Sequence, residues 1–425
     1  MKNSPSIFYL AVISKNKERE YEEIIYGKLE AFNFMAFHEK RLELGNDQVM
    51  LLCFSNPSVL DERSGGVVYV DCYPDDLAGV FEKIKLDISL KNLGEILDSI
   101  DGFFTGFIVH NSRIIMFRDH VGAIPCNYRV DAGSFVATSF RKMIDGSVAH
   151  PPGRMIVWDS GLFKIHRWYR WRGFSGDYVV ELKNRLIDVF SRYLPGGFSL
   201  GFSGGLDSVL IAYVASMLGR RIECITVGAE DSIDLQWAED AATLLGLRLR
   251  KIKVDQKLVR DTVEVVSRYL VNPTVMDLSI ALVFYLVATN SVYGYVVSGQ
   301  GADELFGGYY KYVKIGREKG LGYVKGVMMK DILELHKTNI ERDYLAVATM
   351  GKRLIQPYLA KKIYELALST PVNLKISLED DSGRKIILRR IGKMLGLQDQ
   401  LIWKPKKALQ YSSKVQKLMY NIIQR

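Results

Sequence analysis

Along roughly the first 170 residues, short apolar runs alternate with Gly, Asp and Asn turns, which is the pattern of half-buried strands joined by tight connections. An apolar run over Ile7 to Ile13 predicts an opening strand, and the spacing over Lys15 to Phe32 predicts a helix. The runs Phe103 to His110 and Arg113 to Phe117, separated by Asn111-Ser112, predict a hairpin. Further strands are predicted at Val67 to Val70, Ser134 to Ala137, Met155 to Trp158 and Leu162 to His166. From Asp177 the period changes to a helical one, with Val180, Leu182, Leu186, Val189, Phe190 and Tyr193 roughly at helical spacing. Strands and helices then alternate: strand Phe198 to Phe202, helix Ser208 to Leu218, strand Ile222 to Val227, helix Ser232 to Leu245, strand Leu247 to Val254 and strand Tyr295 to Val297. That alternation predicts a parallel sheet with right-handed helical crossovers, whose strands present ligands at their carboxyl ends. Beyond Lys330 the pattern is mostly helical.

Composition adds limits. A length of 425 residues with 48% hydrophobic and 25% charged residues fits two domains with ordinary cores, not a disordered chain. No apolar run approaches the roughly 20 residues of a membrane span, and the start of the chain reads as a strand, not a signal peptide, so a cytoplasmic protein with no membrane partner is expected. The net charge of +9 favours anionic partners only weakly over this length. Cys53, Cys72, Cys126 and Cys224 lie far apart, and the six histidines are scattered, so neither a disulfide framework nor a zinc site is expected. The aromatic and basic stretch Trp168 to Gly176 could suit stacking and phosphate contacts, but it reads better as a packed linker, and nucleic acid is not an expected partner.

The densest chemistry lies in Leu200-Gly201-Phe202-Ser203-Gly204-Gly205-Leu206-Asp207-Ser208, between a strand and a helix. Adjacent glycines let backbone approach an anion, and the helix behind offers unpaired amides and a positive dipole end. No Gly-Lys-Ser/Thr follows, so the loop is not a Walker A sequence. Ser203 and Ser208 supply hydroxyls; Asp207 would repel phosphate unless Mg²⁺ lay between them. A second strand and glycine-rich loop follows, Val296-Val297-Ser298-Gly299-Gln300-Gly301-Ala302-Asp303-Glu304-Leu305-Phe306-Gly307-Gly308-Tyr309, where Asp303 is another candidate Mg²⁺ ligand.

The first of these strings resembles the PP-loop of the ATP pyrophosphatases, and the second resembles the S-G-E-G-A-D-E-L-F-G-G-Y loop of asparagine synthetases. The resemblance extends to Asp101-Gly102-Phe103 and to Arg118-Asp119-His120-Val121-Gly122-Ala123-Ile124-Pro125, which look like segments of that family's amino-terminal glutaminase fold. It extends also to Asn339 to Asp343 and Gln356 to Leu359, and to Leu401 to Tyr411, where Lys406 falls at the lysine of the family's R-x-K motif. The resemblance implies an α/β protein: an amino-terminal β-rich α+β (Ntn-hydrolase-like) domain over residues 1–170, then a PP-loop (adenine nucleotide alpha hydrolase-like) parallel-sheet domain with a helical carboxy-terminal part over residues 177–425. It implies an AMP-forming, ATP-dependent carbon–nitrogen ligase that adenylates a carboxylate and amidates it with ammonia or another amine. Cofactors would be ATP and Mg²⁺. ATP would meet Phe202, Ser203, Gly204, Gly205, Asp207, Ser208, Val227, Ser298 and Gly299; Mg²⁺ would sit on Asp207 and Asp303; Lys406, Asp207 and Gln300 would be catalytic. Lys406 would stabilise charge on the phosphates.

The sequence departs from the family pattern in three places. Lys2, not cysteine, follows Met1, so no glutaminase activity is expected and ammonia would arrive free or from a partner subunit. The loop glutamate is Gln300, which is no carboxylate base, and the family's G-V-E-x-R-x-P-F-L-D reads Gly351 to Ala360 with neither the glutamate nor the arginine. A homodimer is compatible with the resemblance. The alternatives left open are a β-lactam-synthetase-like or other amide ligase with a different acceptor, a tRNA-modifying pyrophosphatase, and a nucleotide-binding regulator without catalysis.

Overall fold

The computed structural model describes residues 8–14, 23, 38–44, 47–53, 58–63, 66–110, 113–131, 134–159, 161–379, 383–403 and 413–423. The helix expected over Lys15 to Phe32 lies outside the described residues, apart from Glu23. The chain divides into two compact units: Met1–Arg170 with Arg268–Val271 and His336–Gly351, and Trp171–Ser267 with Asn272–Leu335 and Lys352–Arg425.

The first unit holds strands β1 (Phe8–Ser14), β2 (His38–Leu44), β3 (Asp47–Cys53), β4 (Val59–Arg63), β5 (Gly66–Tyr73), β6 (Phe103–His110), β7 (Arg113–Arg118), β8 (Asn127–Asp131), β9 (Ser134–Thr138), β10 (Val148–Ala149), β11 (Arg154–Asp159) and β12 (Leu162–Arg167). They form two antiparallel sheets, ordered β10-β8-β9-β1-β3-β2 and β12-β11-β7-β6-β5-β4. One core cluster draws on both: Leu10, Leu51, Phe135 and Ala137 from the first sheet meet Tyr69, Phe107, Met116, Ile156 and Trp158 from the second, so the sheets pack face to face. Tyr69 lies directly opposite Phe107 in the β5–β6 register, and their rings stack at 4.7 Å. The hairpin expected around Asn111-Ser112 is β6–β7. Every residue of β5 is buried because the other sheet face is also covered, in part by Phe81, whose ring lies 5.4 Å from Phe104.

At the end of β7 the chain turns on two buried charges. Arg118 donates from Nε to the Ile124 carbonyl (2.8 Å), from Nη1 to that of His150 (2.8 Å) and from Nη2 to that of Gly122 (2.7 Å). The Asp119 carboxylate accepts from the amides of Phe104, Val121, Gly122 and Ala123. Together they satisfy the polar backbone of a loop that has no sheet partners, which is the requirement for burying it.

The second unit is built on β13 (Gly197–Gly201), β14 (Arg221–Gly228), β15 (Leu249–Lys253), β16 (Tyr295–Val297) and β17 (Arg353–Ile355). All pairings are parallel, in the order β15-β14-β13-β16-β17. The strands expected from the apolar runs are β13 to β16; β17 was not among them, since three residues carry no periodicity. The helices that matter for the site are α1 (Tyr178–Tyr193), α2 (Leu206–Met217), α3 (Ile233–Leu245), α4 (Ala302–Phe306) and α5 (Ile386–Met394). Asp177 caps α1 by accepting from Val179 and Val180, and Ser232 caps α3. The stretch Trp168 to Gly176 is used for packing: Trp168 and Tyr169 are buried in the first unit, while in the second Trp171 Nε1 donates to the Glu365 carbonyl and the Phe174 amide to Ser369 Oγ.

Toward their amino ends these parallel strands are fastened by side chains. Ser199 donates to Glu223 (2.5 Å), which also pairs with Arg250 (3.0 Å) and accepts from the Val292 amide (3.0 Å). Lys352 donates to the carbonyls of Ser291 and Tyr293 (2.5 and 2.9 Å). The carboxyl ends are left to the loops.

Candidate functional site

The chain goes outward from β13 through β14 to β15, then returns to lay β16 and β17 on the other side of β13. The reversal falls between β13 and β16, and a crevice opens at the carboxyl ends of strands flanking such a point. The two loops singled out in the sequence follow these two neighbouring strands. They converge because of topology, although about a hundred residues separate them.

After β13, Phe202 is buried and its amide donates to the Ile225 carbonyl (2.8 Å). Gly204 takes φ +68, where a Cβ would lie 2.3 Å from the Trp237 carbonyl oxygen of α3, so this loop position admits glycine alone. The Gly205 amide donates to Ser203 Oγ (3.3 Å), and Ser208 Oγ donates to the Gly205 carbonyl (3.0 Å). Helix α2 starts at Gly205 without a side-chain cap, so its positive dipole end faces the loop. Val227, in β14, is buried. After β16, the Ser298 amide donates to the Ile355 carbonyl (3.0 Å), and Ser298 Oγ accepts from the Gln300 amide (3.3 Å). Asp207 stands in the first turn of α2 and Asp303 in the first turn of α4.

The two carboxylates meet on one cation. Lys385 Nζ donates to Asp207 Oδ2 and lies 2.6 Å from Asp303 Oδ1; its side chain is 3% exposed, against 17% and 21% for the acids. Lys385 precedes α5 in a left-handed conformation, φ +55. Gly308 makes the approach possible, since a Cβ there would lie 1.7 Å from Asp303 Oδ1 and 2.3 Å from Lys385 Cε. From behind, the buried Tyr358 hydroxyl donates to the Asp207 carbonyl (3.1 Å), and its ring is held edge-on by Phe190 and Phe306. Burial pushes the Tyr358 phenol well above its ordinary pKa, so it remains a donor. Next to Asp303, the Tyr309 hydroxyl donates to Glu304 Oε1 (2.6 Å).

The structure thus brings together Ser203, Gly204, Gly205, Asp207, Ser208, Ser298, Gly299, Gln300 and Asp303 around the ends of β13 and β16. Lys406 lies outside the described residues. Sequence pattern alone does not reveal Lys385 or Tyr358. Gly383-Arg384-Lys385 matches no phosphate or metal motif, and the hydroxyl of Tyr358 carries no local signal. Among the described residues no group of three or more His, Cys, Asp or Glu side chains is placed to hold a metal. The Asp207 and Asp303 oxygens, already converged on one cation, do fit Mg²⁺, which takes one or two carboxylates and completes its shell with substrate oxygens and water.

Comparison with known proteins gives a match of the Asparagine synthase family model to residues 198–322 and 316–424. The putative asparagine synthetase [glutamine-hydrolyzing] 1 of Methanocaldococcus jannaschii is 34% identical over 255 residues, 52% of this chain and 47% of that protein. Asparagine synthetase B of Escherichia coli is 26% identical over 307 residues, 64% of this chain and 54% of that protein. The chain spans about half the length of the curated relatives it matches. Among solved structures, an NH3-dependent NAD synthetase from Campylobacter jejuni aligns with a TM-score of 0.23 at 19% identity, covering 32% of this chain and 61% of that one.

Proposed function

The chain belongs to the asparagine synthase family, and from that premise we propose that it is an ATP-dependent amide ligase that adenylates a carboxylate, aspartate or a related acid, releases pyrophosphate and passes the acyl group to ammonia or another amine. The observation that carries this reading is the convergence of Asp207 and Asp303 at the reversal point of the sheet, beside the uncapped start of α2. In this proposal the Ser203 to Ser208 loop and the amides of α2 hold the phosphates, with Phe202, Val227, Ser298 and Gly299 toward the nucleoside. Asp207 and Asp303 would hold Mg²⁺, which when bound supplies compensation for phosphate charge. Lys406 stabilises charge on the leaving pyrophosphate. Gln300 orients the incoming amine through hydrogen bonds, and the proton goes to water or substrate, since a neutral amide is no base near neutral pH.

A second reading, amidation of a carboxylate other than aspartate, is favoured by β17. Where the family pattern has an arginine this chain has Ile355, fully buried, and where it has a glutamate this chain has Arg353. Loss of the pattern's glutamate and arginine from this strand suits a different acid. As for the nitrogen source, the described thiols of Cys72, Cys126 and Cys224 are all buried. Burial pushes Cys126 up to about 11 and Cys224 up to about 12, so neither is a thiolate near neutral pH. We propose free ammonia, or ammonia from a partner subunit, as the donor, a reading that the burial of these three described thiols supports.

The test is pyrophosphate release from ATP across a panel of amino and carboxylic acids, with ammonia or hydroxylamine present. AMP and pyrophosphate in equal amounts, dependent on one class of acid, is the expected result; ADP and phosphate would overturn the assignment.

A graded check uses Gly308→Ala, whose new methyl must push the Asp303 carboxylate or the Lys385 stem aside. Because displacements on the order of 1 Å at a positioned group cost about 10²-fold, pyrophosphate release should fall by about that factor, with the unfolding midpoint measured alongside to show that the variant is folded at the assay temperature. Gly326→Ala, at a position with no atom within 4 Å of the new methyl, should leave turnover unchanged. Equal turnover in the two variants would separate Gly308 from the site.

A further inference from the structure

The carboxylate pair Asp207 and Asp303 shares one cation, Lys385. Lys385 Nζ is within hydrogen-bond reach of one oxygen from each acid and is nearly sealed from solvent. A divalent ion on the same two oxygens would need them at about 2.0–2.1 Å, a volume the ammonium occupies. Two cations that close also repel strongly in a site with little water. Metal and ammonium are therefore alternatives.

The backbone of Lys385 is tied on both sides. Arg384 bridges to Ile376, the Ser377 amide donates to the Gly383 carbonyl (2.7 Å), and the Arg389 amide donates to the Lys385 carbonyl (3.0 Å) at the start of α5. Exchange must accordingly happen by movement of the side chain, whose Cε packs so closely on Gly308 that a Cβ there would lie 2.3 Å from it. A buried ammonium leaves two carboxylates only for another anion, since stripping it of partners is costly. The phosphates of a nucleotide, arriving at the neighbouring amides of α2, are such an anion.

We propose that Lys385 is the resident cation of the Asp207–Asp303 pair, excluding a divalent ion until a nucleotide draws the ammonium onto its phosphates, so that metal and nucleotide enter together. The inference rests on the proposed reading of the site as one for Mg²⁺ and ATP. It makes Lys385 a positioning residue for metal loading, distinct from any part in bond making.

The test is Mn²⁺ binding to the full chain, followed by electron paramagnetic resonance, in wild type, Lys385→Met and Lys385→Gln; the amide of the glutamine keeps a donor toward the acids if the methionine variant folds poorly. Without nucleotide, both variants should bind Mn²⁺ at least about tenfold more tightly than wild type, because a charge beside the ion has been removed. Mg²⁺ alone should raise the thermal midpoint of the variants and leave that of wild type unmoved. Mn²⁺ binding equally tight in wild type and both variants would overturn the proposal. So would wild-type Mn²⁺ affinity that does not change when a non-hydrolysable α,β-methylene ATP analogue is bound. Calorimetric titration of wild type with that analogue in Mg²⁺ separates the two readings: no binding there removes the ATP assignment, whereas binding with Lys385-independent Mn²⁺ affinity removes only the gating by Lys385.

Discussion

Asp207→Asn is expected to lower carboxylate-dependent pyrophosphate release by about 10³-fold, the scale of several kcal/mol of lost charge compensation at a phosphoryl centre. The side chain stands in the first turn of α2, where an anion is favoured by the helix dipole, and one of its oxygens meets Lys385 together with Asp303. Asparagine keeps the shape and a carbonyl oxygen but removes the charge that offsets a cation next to triphosphate. The fold should survive, because Lys385 retains Asp303 and the Tyr358 hydroxyl still meets the backbone carbonyl of residue 207. Circular dichroism and the unfolding midpoint test that second half. A folded Asn variant with near wild-type turnover would take Asp207 out of the mechanism.

The largest effect on stability is expected in the first unit, from Arg118→Leu. Its guanidinium is fully buried and serves three carbonyls, those of Gly122, Ile124 and His150, which leucine cannot reach. Removing one partner of a buried polar set leaves the others desolvated, at about 1–3 kcal/mol for each group left without compensation. With three carbonyls left without their donor, a loss of at least about 3 kcal/mol is expected. Burial also lowers the Arg118 pKa, yet the group keeps its proton across any ordinary pH, so the loss should not depend on pH between 6 and 9. Amide hydrogen exchange of β6 and β7 in rising denaturant reads this unit. A shift under about 1 kcal/mol would mean that the loop re-satisfies its carbonyls with water.

Much of this architecture is legible in the residues, and the parts that are not share a physical cause. The β6–β7 hairpin and strands β13 to β16 announce themselves through apolar runs with turn residues at their ends. Loops 203–208 and 298–303 are legible because each is local: a strand end, glycines and an acid in a first helical turn stand together in the chain. Lys385 is a different case. It stands 178 positions from Asp207, and only the reversal of strand order and the placement of α5 bring it to the carboxylates. Tyr358 reaches the same residue across 151 positions, by a hydroxyl that differs from phenylalanine in a single atom. The three-residue β17 was hidden by its brevity, with Arg353 at its start giving no apolar signal. The inclusion of Arg268–Val271 and His336–Gly351 in the first unit is likewise invisible to local pattern, because compactness is a property of the folded chain.

The side-chain bonds that tie the amino ends of the parallel strands, from Ser199 and Glu223 to Arg250 and Lys352, give this sheet a keel. These side-chain ties gather at the end away from the site, while at the site end backbone amides, those of Phe202 and Ser298, extend the ladder. A loop side chain that makes no strand-to-strand bond, such as that of Gln300, can then be an acid or an amide without the frame having to be found again. A scaffold fastened in this way separates heritable architecture from heritable chemistry, and a lineage can try new acids and amines while inheriting the same sheet.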